Sequence, residues 1–201
     1  MTSMTALVSA ASDTAAELRS FINGGGVYPN FDFTRYWWAS SDNRPGIAPW
    51  VQKKLKPGND PEFGQALRAG LVLPKTASGD YMNLAFLLDR FDRTLPSYEQ
   101  HAFVQMKFTL PGDEPLHVGW ERVRAFALEY LAGERGLAAV IVLHNPGIAG
   151  SGNAPHIHVI VPARQLTANG FGATDKGLCS DRGQEECWAA WPALVTEGGV
   201  A

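Results

Sequence analysis

An α+β fold, an antiparallel sheet with helices packed on it, is what this sequence predicts, and three observations carry the prediction. Residues 80–95 and 119–135 repeat apolar side chains at spacings of three and four, the period of a helix with one buried stripe. Residues 101–110, HAFVQMKFTL, set Phe103, Gln105, Lys107 and Thr109 against Val104, Met106, Phe108 and Leu110, the period of a half-buried strand. Two apolar runs, residues 138–144 and 156–161, are separated by only eleven residues, NPGIAGSGNAP, so an antiparallel hairpin is the economical connection. The order helix, strand, helix, hairpin then places the helices on one face of a sheet.

Each element follows from local signals. Residues 10–23, AASDTAAELRSFIN, read as a short helix with Ser12 or Asp13 as N-cap and Gly24-Gly25-Gly26 as its stop. Residues 27–62 hold Tyr28, Phe31, Phe33, Tyr36, Trp37, Trp38 and Trp50 among many Pro, Asn, Asp and Gly with no clean period, which predicts a loop region anchored by aromatics, with one short helix near residues 48–55. In the helix at 80–95, Tyr81, Leu84, Leu88 and Phe91 form the stripe and Leu87 widens it. The strand at 101–110 ends at Pro111-Gly112. In the helix at 119–135, Trp120, Val123, Ala127, Tyr130 and Leu131 share a side and Gly136 is the stop. We divide the chain into an N-terminal segment, 1–79, of helix and aromatic-rich loop, and an α+β core, 80–197, within a single domain overall.

Composition narrows the function. The 21 glycines and 13 prolines mark a loop-rich globular protein. No apolar run reaches the twenty residues a membrane span needs, and the N-terminus lacks the basic start of a secretory signal, so the expectation is a cytoplasmic protein with no membrane partner. Cys179 and Cys187 have no second pair to complete a zinc ribbon and read as reduced bystanders. The formal net charge of −3 means that any nucleic-acid contact must come from a local basic patch.

The chemistry concentrates in the hairpin, where three of the five histidines fall between residues 144 and 158. Side chains two apart on a strand point the same way, so His156 and His158 share a face, and pairing of the hairpin brings His144 to it. Three imidazoles converging on one point suit a divalent metal with positions left open for substrate oxygens. The alternative is two rings that merely occupy the polar face of a strand.

The residues from Phe103 to Trp191 resemble the relaxase domain of the MobA/MobL plasmid-mobilisation proteins, which belong to the histidine-hydrophobe-histidine endonucleases. The matching pieces, in order, are a strand ending in Leu110-Pro111, an amphipathic helix, VLHNP, NAPHIHVIVPARQL, Gly170-Phe171-Gly172 with Lys176, and Trp188 and Trp191 on a closing helix. The resemblance implies a relaxase-like architecture and a metal-dependent nickase of single-stranded DNA at a plasmid transfer origin, acting in mobilisation with auxiliary mobilisation proteins. It implies His144, His156 and His158 as ligands of Mg²⁺ or Mn²⁺, with Zn²⁺ equally suited to three imidazoles, and a tyrosine that attacks the phosphodiester. Tyr36 is the candidate nucleophile, ahead of Tyr28, and its other reading is a packing aromatic beside Trp37 and Trp38. Lys53, Lys54, Lys56, Arg164 and Lys176 are the candidate DNA contacts.

The sequence departs from the family pattern in three places. No Ala-Ala-Tyr-Arg helix stands near the N-terminus, Gln105 and Lys107 stand where the family carries glutamates, and the relatives continue beyond the point matching Ala201. These departures keep open a degenerate relaxase fold that binds DNA without cutting it. PHIHVIV is also similar to the strand of the histidine-triad nucleotide hydrolases, which work without metal, but Ala154 or Ile160 stands where their remaining histidine would be.

Overall fold

Two strands that are apolar at nearly every position must be covered on both sides, and this requirement organises the molecule. A computed structural model describes residues 18–22, 27–40, 43–58 and 64–197. Its elements in chain order are β1 (Leu18–Ile22), β2 (Phe31–Trp38), α1 (Ala48–Leu55), β3 (Arg68–Val72), α2 (Leu84–Arg93), β4 (His101–Thr109), α3 (Leu116–Phe126), β5 (Ala139–His144), β6 (His156–Pro162), β7 (Arg164–Thr167), β8 (Gly170–Thr174) and α4 (Asp181–Glu197). Six strands form one antiparallel sheet in the order β1-β2-β4-β6-β5-β3, and β7 and β8 form a separate hairpin.

All six residues of β5 are buried. One face of the sheet carries Phe33, Met106, Phe108, Ile141, Ile157 and Val159 against Trp120, Val123, Phe126 and Leu131 of α3 and its π-type continuation, with Trp188 and Trp191 of α4 packed beside them. The other face carries Phe103, Val140, Val142 and Ile160 against Val51 of α1 and Leu87, Leu88 and Phe91 of α2. The expected α+β sheet with helices packed on it is therefore present, but the helices lie on both faces rather than one. The runs AVIV and VIV had that consequence in them, since a strand with one solvated face alternates.

Three further expectations are corrected. Residues 18–22 of the expected first helix are strand β1, paired along its length with β2, and the remainder of that helix lies outside the described residues. The stretch expected as loop contains β2, where Phe31 and Phe33 alternate with Asp32 and Thr34 after a turn at Pro29-Asn30, Asn30 having a φ of 60°. The helix expected over 80–95 begins as a 3₁₀ turn at Gly79–Met82 and restarts at Leu84, because Asn83 leaves the helical region and accepts the Phe86 N–H at 3.1 Å as an N-cap. The short helix over 48–55, the strand over 101–110 and the hairpin pairing stand as expected. Residues before position 80 supply half of the six-stranded sheet.

Candidate metal centre

The register of the central hairpin pairs His144 with His156 and Val142 with His158. Along β6 the odd residues Ile157, Val159 and Val161 enter the first face, which leaves His156, His158 and Ile160 on the face covered by α1 and α2. The three imidazole centroids stand 5.0 to 5.2 Å apart. One ring nitrogen from each lies within 4.8 Å of the others, so the group could hold a metal ion.

The hydrogen bonds decide which nitrogens face inward. His144 Nε2 is 2.6 Å from the Lys54 carbonyl and His156 Nδ1 is 3.0 Å from the Ala154 carbonyl. A carbonyl only accepts, so each of those nitrogens donates its proton outward, and in the neutral ring the other nitrogen carries a lone pair. Those other nitrogens, His144 Nδ1 and His156 Nε2, face each other at 3.4 Å. Two opposed lone pairs repel unless a cation joins them. Nitrogens bound to a tetrahedral ion at the usual zinc distance would be roughly 3.3 Å apart. His158 adds a buried Nδ1 with no hydrogen-bond partner among the described residues. Outward carbonyl anchors and inward lone pairs are the arrangement of a metal-binding imidazole set, and the donor set fits a divalent ion.

Protonation would defeat the site, and the surroundings oppose it. Burial pushes the His158 pKa down to about 2, helped by the Lys54 ammonium, the other two imidazoles and the Lys107 ammonium. Burial likewise lowers His144 and His156, against the opposing pull of their carbonyl partners. Lys107 is the direct cross-strand neighbour of His158, and its ammonium lies 3.6 Å from Asp32 on β2. Lys54 is itself lowered by burial and by Lys53 and Lys107.

The last turn of α1 brings Lys53, Lys54 and Lys56 to this end of the sheet, with Lys53 and Lys56 exposed. A cavity of about 360 Å³ opens beside His144 and His156, walled by residues 57–58 and 64–65 on one side and by Asn145, Pro146, Ala149 and Ser151 on the other. Other expected site residues lie elsewhere. Arg164 is buried with its guanidinium donating to the Gly172, Thr94 and Phe171 carbonyls at 2.7 to 2.9 Å, so it fastens the β7–β8 hairpin to the end of α2. Lys176 is exposed on the turn between β8 and α4, beyond the Pro162 end of β6 and away from the histidines. Tyr28 stacks on Trp188 at 4.9 Å, against the opposite face.

Tyr36 is on the histidine face, but paired with Phe103, four residues along β4 from Lys107. That is roughly 13 Å along the strands and two strand spacings across. Its ring stacks on Phe103 at 4.5 Å and lies 4.9 Å from Trp50, and burial raises its phenol pKa. Trp50 in turn donates to Gln105 at 3.1 Å and carries the Lys54 ammonium 5.4 Å above its ring. Reading the sequence alone did not connect Asp32 or Trp50 to the histidines; the F-D-F-T alternation, which makes β2 a strand, was the available signal.

No family model matches this sequence, and no curated protein matches it. Among solved structures, one from work on the "Molecular Basis of Vancomycin Resistance Transfer in Staphylococcus aureus" is similar, with a TM-score of 0.63 and 15% identity, over 85% of this chain and 95% of that one. At that identity the likeness bears on the fold, and it agrees with the α+β architecture of an antiparallel sheet and covering helices.

Proposed function

We propose that this protein is a relaxase-type enzyme that uses a divalent metal to cut single-stranded DNA for plasmid mobilisation. The observation that carries the reading is the pair of lone-pair nitrogens of His144 and His156, held 3.4 Å apart by outward bonds to the Lys54 and Ala154 carbonyls, with His158 beside them. A fold shared with a protein of vancomycin-resistance transfer supports the same direction. His144, His156 and His158 would hold Mg²⁺ or Mn²⁺, or Zn²⁺. Bound there, the metal supplies Lewis-acid polarisation of a non-bridging phosphate oxygen. The chain's own part is electrostatic and positional: Lys54 and Lys107 face the phosphate with positive charge, the cavity beside His144 takes the adjoining nucleotide, and Lys53 and Lys56 follow the strand outward. Arg164, consumed by three carbonyls, has no part in that surface. Auxiliary mobilisation proteins and a cytoplasmic setting belong to the same proposal.

A second reading, a relaxase fold that binds DNA without cutting it, is favoured by Tyr36. A nucleophile must reach the phosphorus beside the metal, and Tyr36 is stacked between Phe103 and Trp50 four residues away along the strands. The metal-free histidine-triad hydrolase reading has no such support, since of the two positions where its remaining histidine would stand, Ala154 lies outside β6 and Ile160 is wholly buried in the core.

Calorimetry with Mn²⁺ on the wild type, His144→Ala and His156→Ala tests the centre. About one equivalent bound by the wild type, with affinity falling by a hundredfold or so in each variant, is the expected result. No binding by folded wild-type protein, either alone or with single-stranded DNA present, overturns the reading. Incubation with Mn²⁺ and a random-sequence single-stranded oligonucleotide pool then separates the two readings. A denaturation-resistant adduct that maps to Tyr36 and vanishes in Tyr36→Phe marks the nickase, while DNA binding without an adduct marks the second reading.

A further inference from the structure

The candidate ligand group among the described residues consists of three imidazoles and no carboxylate. The charged side chains that act on it are positive. Lys107 is the cross-strand neighbour of His158 on the same face, and Lys54 sits where its own carbonyl holds His144. The Lys54 side chain lies over Trp50, whose indole is tied to Gln105, two residues from Lys107 on that face, so the two lysines flank the histidines from the helix and from the sheet. Asp32 offsets Lys107 only in part, because both groups of that pair are substantially exposed at 3.6 Å.

We propose that the centre binds its divalent metal and a phosphodiester synergistically, with Lys54 and Lys107 keeping metal affinity low until the anion arrives. The proposal rests on the reading of the three histidines as metal ligands. A dication added to three neutral rings between two ammonium groups meets repulsion that no ligand relieves. A phosphodiester bound at the three histidines, with its adjoining nucleoside in the cavity beside His144, brings the missing negative charge, attracts both lysines and supplies an oxygen to an open coordination position. Linkage requires the effect to be mutual: the factor by which the anion tightens the metal is the factor by which the metal tightens the anion. The protein would then hold metal firmly only with its nucleic-acid substrate in place.

The test uses the full chain, Mn²⁺ and thymidylyl-thymidine, which carries one phosphodiester, at constant ionic strength, with the uncharged methylphosphonate-linked analogue as control. Calorimetric Mn²⁺ affinity should rise roughly tenfold with the dinucleotide and stay unchanged with the analogue, and the reciprocal titration should return the same factor. Lys107→Gln should bind Mn²⁺ alone several-fold more tightly and show less synergy. Lys107→Glu should bind Mn²⁺ alone at least roughly tenfold more tightly and lose the synergy, because a carboxylate now faces the ion. Equal wild-type Mn²⁺ affinity with and without the dinucleotide, or no gain in Lys107→Glu, overturns the synergy while leaving the metal centre intact. Failure of the wild type to bind Mn²⁺ under either condition overturns the metal centre, and the synergy with it.

Discussion

Ile157 and His158 are consecutive residues of β6, both buried, and they belong to two differently built faces of one sheet. The Ile157 face is apolar along the strands and closed by α3, its π-type continuation and α4. The His158 face is apolar only toward the Pro162 end, where α1 and α2 cover Val140, Val142 and Ile160. At the other end α1 stops, a cavity opens, and the sheet presents imidazole, ammonium and amide groups instead. One strand thus serves as core on one side and as candidate metal centre on the other. The rigidity that a ligand set needs comes from the apolar half of the same residues.

The first way to break this comparison is to damage the core half. Ile157→Ala leaves a cavity among Phe108, Leu143 and the α3 side chains, and should cost about 2–5 kcal/mol of unfolding free energy in urea titration. If His158 is positioned by that packing, Mn²⁺ affinity should fall as well, although the deleted group points away from the candidate metal centre. Unchanged affinity in a variant destabilised to this extent would separate the two faces.

A somewhat smaller effect distinguishes a structural cation from the proposed DNA-contacting one. Arg164 sits at the closed end, its guanidinium satisfied by three backbone carbonyls and by Thr94 Oγ1 at 3.1 Å. Arg164→Ala should cost about 2–3 kcal/mol, since buried hydrogen bonds to a charged group are lost together, and should leave affinity for single-stranded DNA unchanged in filter binding. Lys54→Ala should do the reverse, with stability near that of the wild type and weaker DNA binding.

The same contrast explains what could be read before the structure was known. Local and periodic features were legible: the helix over 48–55, the strand over 101–110, and the hairpin that pairs His144 with His156 all follow from spacing and a short connection. Strand β2 was not, because the surrounding Pro, Gly and Asn outweighed four alternating residues and only β4 and β1 on either side make it a strand. Strand β3 lacked a signal altogether. Gly70 is at home there because a Cβ would stand 3.1 Å from the Trp120 ring, a contact that sequence does not display. Within the site, the three histidines were legible as a pattern, but the anchor of His144 is a backbone carbonyl ninety positions away. No side-chain motif encodes such a partner. Arg164 is a parallel case: the sequence shows a basic residue beside the histidine motif, and only the structure shows the Gly172, Thr94 and Phe171 carbonyls that its guanidinium meets.

The smallest predicted effect is the most pointed, because its sign is opposite to that of Ile157→Ala. His158 buries an Nδ1 that has no partner among the described residues, and burial of such a group costs about 1–3 kcal/mol. Replacing it with leucine fills a similar volume without the polar atom, so metal-free His158→Leu should be more stable than the wild type by about 1 kcal/mol at pH 7. The gain should grow as the pH falls. The folded-state pKa of His158 lies at about 2, below the unfolded value near 6.5, so below pH 6.5 the unfolded chain binds a proton that the native state refuses. Wild-type stability therefore falls with decreasing pH through that window, by up to about 1.4 kcal/mol per pH unit from this residue, and the leucine variant lacks that component. Urea titrations of both proteins at pH 7, 6 and 5 should diverge accordingly, while added Mn²⁺ should raise the melting temperature of the wild type alone. A variant less stable than the wild type at all three values would mean that His158 is held by interactions of its own, and that the polar end of this face is as much a part of the core as the side that carries Ile157.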